Sequence, residues 1–113
     1  MEHRPASQPV EISVQDLGRL LGTEAKICLL DVRESEERRI VHLPESELLD
    51  EAKANELIEA GDREAPLYFI CHHGIRSLSA AQFFAGHGFK EVYSVAGGID
   101  AWAREVDPEM TTY

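Results

Sequence analysis

The chain is poor in cysteine and contains neither a long apolar run nor a cluster of basic residues. Its two cysteines, Cys28 and Cys71, are too few for a disulfide framework, and reduced thiols are typical of the cytoplasm. No segment approaches the roughly 20 consecutive apolar residues that cross a bilayer. Residues 1–5 are not followed by the apolar region of a signal peptide. We therefore expect a cytoplasmic protein with no membrane partner.

Positive charge is also scarce. The sequence has 11 Lys and Arg residues against 21 Asp and Glu residues, which gives a formal net charge of −10. A nucleic-acid partner requires a basic face that neutralises phosphates, and the sequence indicates no such face. A small anionic substrate would have to be attracted by local groups against an unfavourable overall field.

Apolar segments of strand length alternate with helical segments along the chain. The runs 27–32, 66–70 and 92–95 have the uninterrupted apolar character of strands that are covered on both faces. Shorter strands are expected at 10–12 and 46–49. The alternation predicts an α/β fold with a mostly parallel central sheet and helices on both faces.

The boundaries of the expected domain follow from composition and from helix signals. We expect one domain over residues 1–113, with its core at about 10–107 and disorder at 1–8. The residue types predict that helices begin after N-caps at Ser13, Asp50 and Ser77. Residues 106–113 form either a flexible tail or a segment that folds back over the sheet.

Cys71 directly follows the second buried strand. It therefore lies at the carboxyl end of the strands, where ligands bind in parallel sheets. The thiolate is the reactive form of cysteine, and three features of the following loop favour that anion. The loop leads into the positive end of a helix, Gly74 permits backbone amides to turn inward, and Arg76 supplies a guanidinium. The whole loop reads Cys71-His72-His73-Gly74-Ile75-Arg76-Ser77. It predicts an anion cradle around a nucleophile.

The length of this loop bears on the reaction. Cysteine-dependent phosphatases and arsenate reductases place five residues between cysteine and arginine, whereas only four separate Cys71 from Arg76. A shorter loop encloses a smaller volume, which suits one sulfur atom better than a tetrahedral oxyanion. Sulfur transfer is therefore favoured, and a phosphatase or arsenate reductase is the less favoured alternative.

The loop resembles that of single-domain rhodanese-like sulfurtransferases, whose pattern Cys-x-x-Gly-x-Arg is matched by Cys71, Gly74 and Arg76. The segments 30–34 and 88–102 resemble two further parts of the same family, in the same order. The resemblance implies a rhodanese-like three-layer fold and thiosulfate sulfurtransferase activity without a cofactor. In that reaction Cys71 takes sulfur from a donor such as thiosulfate, and the persulfide passes it to cyanide or a thiol.

A related alternative is a persulfide carrier or regulatory module that acts with a protein donor or acceptor. The sequence departs from the family where two glycines are replaced by Val41 and Glu45. Glu45 is expected to add negative charge near the site, which would weaken the use of anionic donors. The alternative therefore stays open.

The remaining candidate residues surround Cys71 and Arg76. His72, His73 and Ile75 are expected to line the active-site loop, and a catalytic role for either histidine is open. Adjacent histidines seldom bind one ion together, and no second ligand pair has suitable spacing, so no metal is expected. Asp31 and Arg33 are expected to pair near the end of their strand and to support the active-site side of the sheet.

Overall fold

Five strands alternate with five helices in the computed structural model, which describes residues 8–23 and 27–113. The strands are β1 (Val10–Ile12), β2 (Cys28–Asp31), β3 (Ser46–Leu48), β4 (Leu67–Ile70) and β5 (Val92–Val95). The helices are α1 (Val14–Leu21), α2 (Ser35–Ile40), α3 (Glu51–Ala60), α4 (Ile75–Gly86) and α5 (Gly98–Glu105). None of the described helices is long and apolar enough to cross a bilayer.

The strands form one sheet in the order β1-β5-β4-β2-β3, and every pair is parallel. Parallel neighbours need long crossover connections, which the intervening helices supply. The most apolar strand, β4, lies at the centre and is buried along its whole length. Its carboxyl end therefore lies between those of β2 and β5, and Cys71 is the next residue.

Two apolar clusters cover the two faces of the sheet. Because side chains alternate along a strand, Leu29 belongs to the cluster that contains Leu17 of α1 and Trp102 of α5. Its neighbour Leu30 belongs to the opposite cluster, with Phe84 of α4 and partly buried residues of α3. The prediction of an α/β fold with helices on both faces is confirmed.

Two predicted helix caps are confirmed and one is wrong. Ser13 accepts a hydrogen bond from the Asp16 amide at 3.0 Å, and Asp50 accepts one from the Lys53 amide at 2.8 Å. Ser77 is not an N-cap, because α4 already begins at Ile75. Gly74, with φ +103°, turns the chain into the helix, so Ser77 lies within the first turn and faces inward.

The sequence leads to different predictions for the two ends of the chain. The disorder expected at 1–8 falls, except for Gln8, outside the described residues. At the other end the alternative of a folded-back segment is confirmed. Met110 packs on the α1–α5 side of the core, and Tyr113 reaches the active-site loop.

Candidate active site

Cys71 lies just beyond β4 with only 1% of its surface exposed. The amide of Gly74 donates to Sγ at 3.0 Å, and the amide of Ser77 donates at 3.3 Å. Both amides belong to the turn that opens α4, where the helix carries partial positive charge. The loop therefore presents two hydrogen-bond donors to any negative charge that develops on the sulfur.

The position of the loop is fixed by the N-terminus of α5. The amide of Ile99 donates to the Cys71 carbonyl at 2.8 Å, and the amide of Asp100 donates to the His72 carbonyl at 3.0 Å. A Cβ on Gly98 would overlap the Cys71 carbonyl oxygen and lie 2.6 Å from the His72 oxygen. Only glycine permits this approach, and its φ of +60° also favours glycine.

The hydroxyl groups of Ser77 and Ser94 are buried on the inner side of the Cys71 sulfur. Ser77 Oγ lies 3.4 Å from Cys71 Sγ, donates to the Gly74 carbonyl at 3.1 Å, and lies 2.8 Å from Ser94 Oγ. Ser77 and Ser94 are 0% and 1% exposed. The sequence analysis missed Ser94, although a serine inside the apolar strand β5 is the signal that could have revealed it.

Ser77→Ala is expected to slow the alkylation of Cys71 by iodoacetamide at neutral pH. The change removes the bond that holds the Gly74 carbonyl, so the turn that directs the two amides at Sγ loses support. One such hydrogen bond is worth about 1 kcal/mol, or roughly a fivefold change in rate. Cys71 labelling can be followed by mass spectrometry. Ser79→Ala, an exposed serine of α4, serves as the control, and equal rates for both variants would contradict this role.

Arg76 lies on the rim of the loop and is paired with a glutamate of α2. Its two terminal nitrogens donate to both carboxylate oxygens of Glu37 at 2.7 and 3.0 Å. The hydrogen bonds to Arg76 hold the pKa of Glu37 well below its ordinary value, and in return the pKa of Arg76 is raised. Sequence analysis placed Arg76 at the site but did not find its partner.

Tyr113 completes the opening above Cys71, which is formed by Glu37, His72, Arg76 and Tyr113 and is called the mouth below. Its ring stacks on His72 with 3.9 Å between ring centroids and 7° between planes. Its hydroxyl donates to Glu37 Oε2 at 2.8 Å and accepts from Arg33 Nη1 at 2.8 Å. Nothing in the sequence near residue 113 signals this contact, because the partners are distant along the chain.

Asp31 and Arg33 pair as predicted, and both are buried. Arg33 Nη2 lies 2.8 Å from Asp31 Oδ2, and Arg38 of α2 reaches the same oxygen at 2.9 Å. Arg33 also donates to the Val41 carbonyl at 2.7 Å. The cluster therefore ties β2 to α2, the helix that presents Glu37.

The two loop histidines have different surroundings. His72 is half-buried between Tyr113 and the ring of His73, whereas His73 is exposed. The fold also brings Asp100 beside them, so that ligand atoms of all three residues lie within 4.8 Å of one another. The Asp100 carboxylate already binds Arg104 at 3.0 Å, and that cation opposes a metal ion. The absence of a metal stays a prediction.

Two further candidate side chains, those of Ile75 and Cys28, lie farther from the sulfur chemistry. Ile75 is 79% exposed at the loop tip. Cys28 pairs in register with Leu67, about 13 Å along the strand from Cys71 at 3.3 Å per residue, which excludes it as a partner thiol. Burial raises the pKa of the Cys28 thiol.

The expectation for Glu45 needs correction. Glu45 is exposed and precedes the amino end of β3, the edge strand two positions from β4. The carboxylate that reaches the rim is that of Glu37. No described residue other than glycine has a positive φ, so the turn after Val41 does not need the glycines that the family pattern has there.

Comparison with known proteins shows the family to which the chain is related. The profile of the Rhodanese-like domain family matches residues 13–105. The chain is 40% identical over 88 residues to the thiosulfate sulfurtransferase GlpE of Pseudomonas savastanoi pv. phaseolicola. The matched region covers 78% of this chain and 82% of that protein.

Solved structures show the same fold. A rhodanese-like domain protein from Staphylococcus aureus superimposes with a TM-score of 0.73 at 23% identity, over 86% of this chain and 94% of that one. A polysulfide-sulfur transferase homodimer from Wolinella succinogenes gives a TM-score of 0.68 at 27% identity, over 86% of this chain and 74% of that one. The chain belongs to the rhodanese-like domain family, and it is an enzyme of the sulfurtransferase class.

Proposed function

We propose that this protein transfers sulfane sulfur from thiosulfate to a thiophilic acceptor, cyanide or a thiol, through a persulfide on Cys71. The observation that carries the proposal is the pair of amides, from Gly74 and Ser77, that donate to Cys71 Sγ. The names of the relatives, thiosulfate sulfurtransferases among them, support the choice of donor.

The reaction has two steps with a covalent intermediate. In the first, the Cys71 thiolate attacks the outer sulfur of thiosulfate. An S–S bond forms at Cys71, the donor S–S bond breaks, and sulfite leaves with the electron pair. In the second, cyanide attacks the outer sulfur of the persulfide, which releases thiocyanate and restores the thiolate. A thiol acceptor, attacking as its thiolate, would leave as a persulfide instead.

The loop is suited to hold the persulfide anion. The first-turn amides of a helix lack intrahelical partners, and in α4 these include Ile75 and Arg76 as well as Ser77. An outer sulfur bound to Cys71 would meet this group of donors. Preorganised amides aimed at developing negative charge stabilise such an intermediate without further rearrangement.

Steady-state kinetics with thiosulfate and cyanide test the proposal. We expect parallel double-reciprocal plots, because sulfite leaves before cyanide binds. A chromogenic phosphate ester tests the phosphatase alternative, for which we expect no turnover. A carrier that acts with a protein partner would accept sulfur from thiosulfate but release it slowly to cyanide. Hydrolysis of the ester without thiocyanate formation would contradict the proposal.

Arg76→Ala is expected to lower kcat/KM for thiosulfate by at least about tenfold, which equals about 1.4 kcal/mol. The change removes the rim cation that attracts the thiolate and the anionic donor, and it leaves the Glu37 carboxylate without its cationic partner. Arg39→Ala removes the same charge from an exposed position of α2 and is the matched control. Unchanged kinetics in Arg76→Ala would defeat this assignment.

A further inference from the structure

Glu37 is a fixed part of the active-site mouth. Its carboxylate accepts two bonds from Arg76, one from the Tyr113 hydroxyl and one from the Glu34 amide. The last bond belongs to a capping box that begins α2. Its side chain is 20% exposed, so these contacts hold it in one orientation.

The contacts of Glu37 change the charge that a donor meets near Cys71. Arg76 is the cation of the cradle, yet its two terminal nitrogens face the carboxylate of Glu37 rather than the space above Cys71. Arg104 is likewise paired with Asp100, the carboxylate beside the two loop histidines. Arg76 and Arg104 are therefore each balanced by a carboxylate, on a protein whose formal net charge is −10.

The remaining surface of the mouth is aromatic. The stacked rings of His72 and Tyr113 form one wall, and Ile75 is exposed on the loop beside them. Apolar and aromatic surface offers little to a doubly charged anion but packs well against an organic group. The site thus combines amide donors at the sulfur with a rim cation whose charge is balanced by Glu37.

We propose that Glu37 determines donor specificity, because by holding Arg76 on the rim it disfavours doubly charged donors and favours organic persulfides. This inference rests on the proposed function, since it names the class of donor for the same sulfur transfer. Glu37 acts through Arg76 and is a positioning residue.

The organic donor reacts by the same displacement. The Cys71 thiolate attacks the outer sulfur of R–S–SH, a new S–S bond forms at Cys71, and the S–S bond of the donor breaks. The thiolate RS⁻ leaves with the electron pair, and the proton stays on the transferred sulfur. No oxidant or further reactant is needed.

A series of donors with different charges tests this role in Glu37→Gln. Glutamine keeps a side-chain oxygen for the capping box but removes the negative charge. We expect KM to fall about fivefold for thiosulfate, a dianion, and about twofold for the monoanion methanethiosulfonate at low ionic strength. For cysteamine persulfide, an R–S–SH donor whose ammonium group cancels the charge of its ionised persulfide, KM should not fall. With all three donors kcat should stay within about twofold, and added salt should reduce the differences.

Glu36→Gln is the control, because it removes the same charge from an exposed position on the same helix. Equal thermal unfolding of both variants and the unaltered protein would show that the fold is kept. A KM change of the same size for all three donors, or the same change in Glu36→Gln, would overturn the inference while leaving sulfur transfer in place. If neither the unaltered protein nor the variants transfer sulfur from any donor, the proposed function itself fails.

Discussion

Cys71→Ser is expected to lower sulfur transfer by at least about a thousandfold, because a serine hydroxyl is a weak nucleophile without an adjacent base. Oxygen replaces sulfur at a site where Sγ accepts hydrogen bonds from the amides of Gly74 and Ser77. The two side chains are close in size, so the fold should persist. The measurement is thiocyanate formation from thiosulfate and cyanide.

Cys28→Ser provides the matched control for the same exchange of sulfur by oxygen. Cys28 lies at the amino end of β2 and is separated from Cys71 by the length of the sheet. We expect this variant to keep most of its activity, with a small loss of stability because its thiol packs against the α4 side of the core. Full turnover by Cys71→Ser, or equal losses in both variants, would contradict the assignment of the nucleophile.

Gly98→Ala is expected to have the second largest effect, a loss of at least about a hundredfold in kcat/KM. A Cβ at this position overlaps the carbonyl oxygens of Cys71 and His72, and alanine is strained at φ +60°. The loop must therefore move away from α5, and the amides that face the sulfur move with it. The melting temperature should fall by about 10 °C, which corresponds to roughly 2 kcal/mol in a domain of this size.

The matched control is Gly86→Ala at the end of α4. A Cβ there meets nothing within 4 Å, and Gly86 does not have a positive φ. We expect this variant to keep its activity and its melting temperature within about 2 °C. If Gly98→Ala behaves like Gly86→Ala, the packing of α5 against the loop does not set the geometry of the site.

Sequence patterns predicted the parts of this structure that depend on local chemistry. Buried strands were recognisable as uninterrupted apolar runs, and their alternation with helices specified a parallel sheet covered on both faces. The site was found for the same reason. Cys71, Gly74 and Arg76 lie within one turn between a strand and a helix, so spacing alone brings them together.

The wrong cap at Ser77 has a local cause. A serine before an apolar helical face is an ordinary N-cap signal, but Gly74 adopts the left-handed conformation and begins the helix earlier. The serine hydroxyl is then free to turn inward, toward Sγ and Ser94. Residue propensities alone do not reveal whether Gly74 or Ser77 determines where α4 begins.

The partners of the site could not be predicted because they are distant in sequence. Glu37 lies 39 residues before Arg76, and Tyr113 lies 76 residues after Glu37. Such contacts depend on how α2 and the C-terminal segment pack on the sheet. The expectation that Glu45 adds negative charge near the site was wrong, because the carboxylate on the rim belongs to Glu37 of α2.

The most direct measurement is the mass of the protein after exposure to thiosulfate and removal of the excess donor. The account predicts an increase of about 32 Da, one sulfur atom bound covalently, located by fragmentation on the peptide that contains Cys71. Cyanide should remove it and return the original mass. An unmodified Cys71 after thiosulfate, or an adduct that maps to Cys28, would contradict the central claim.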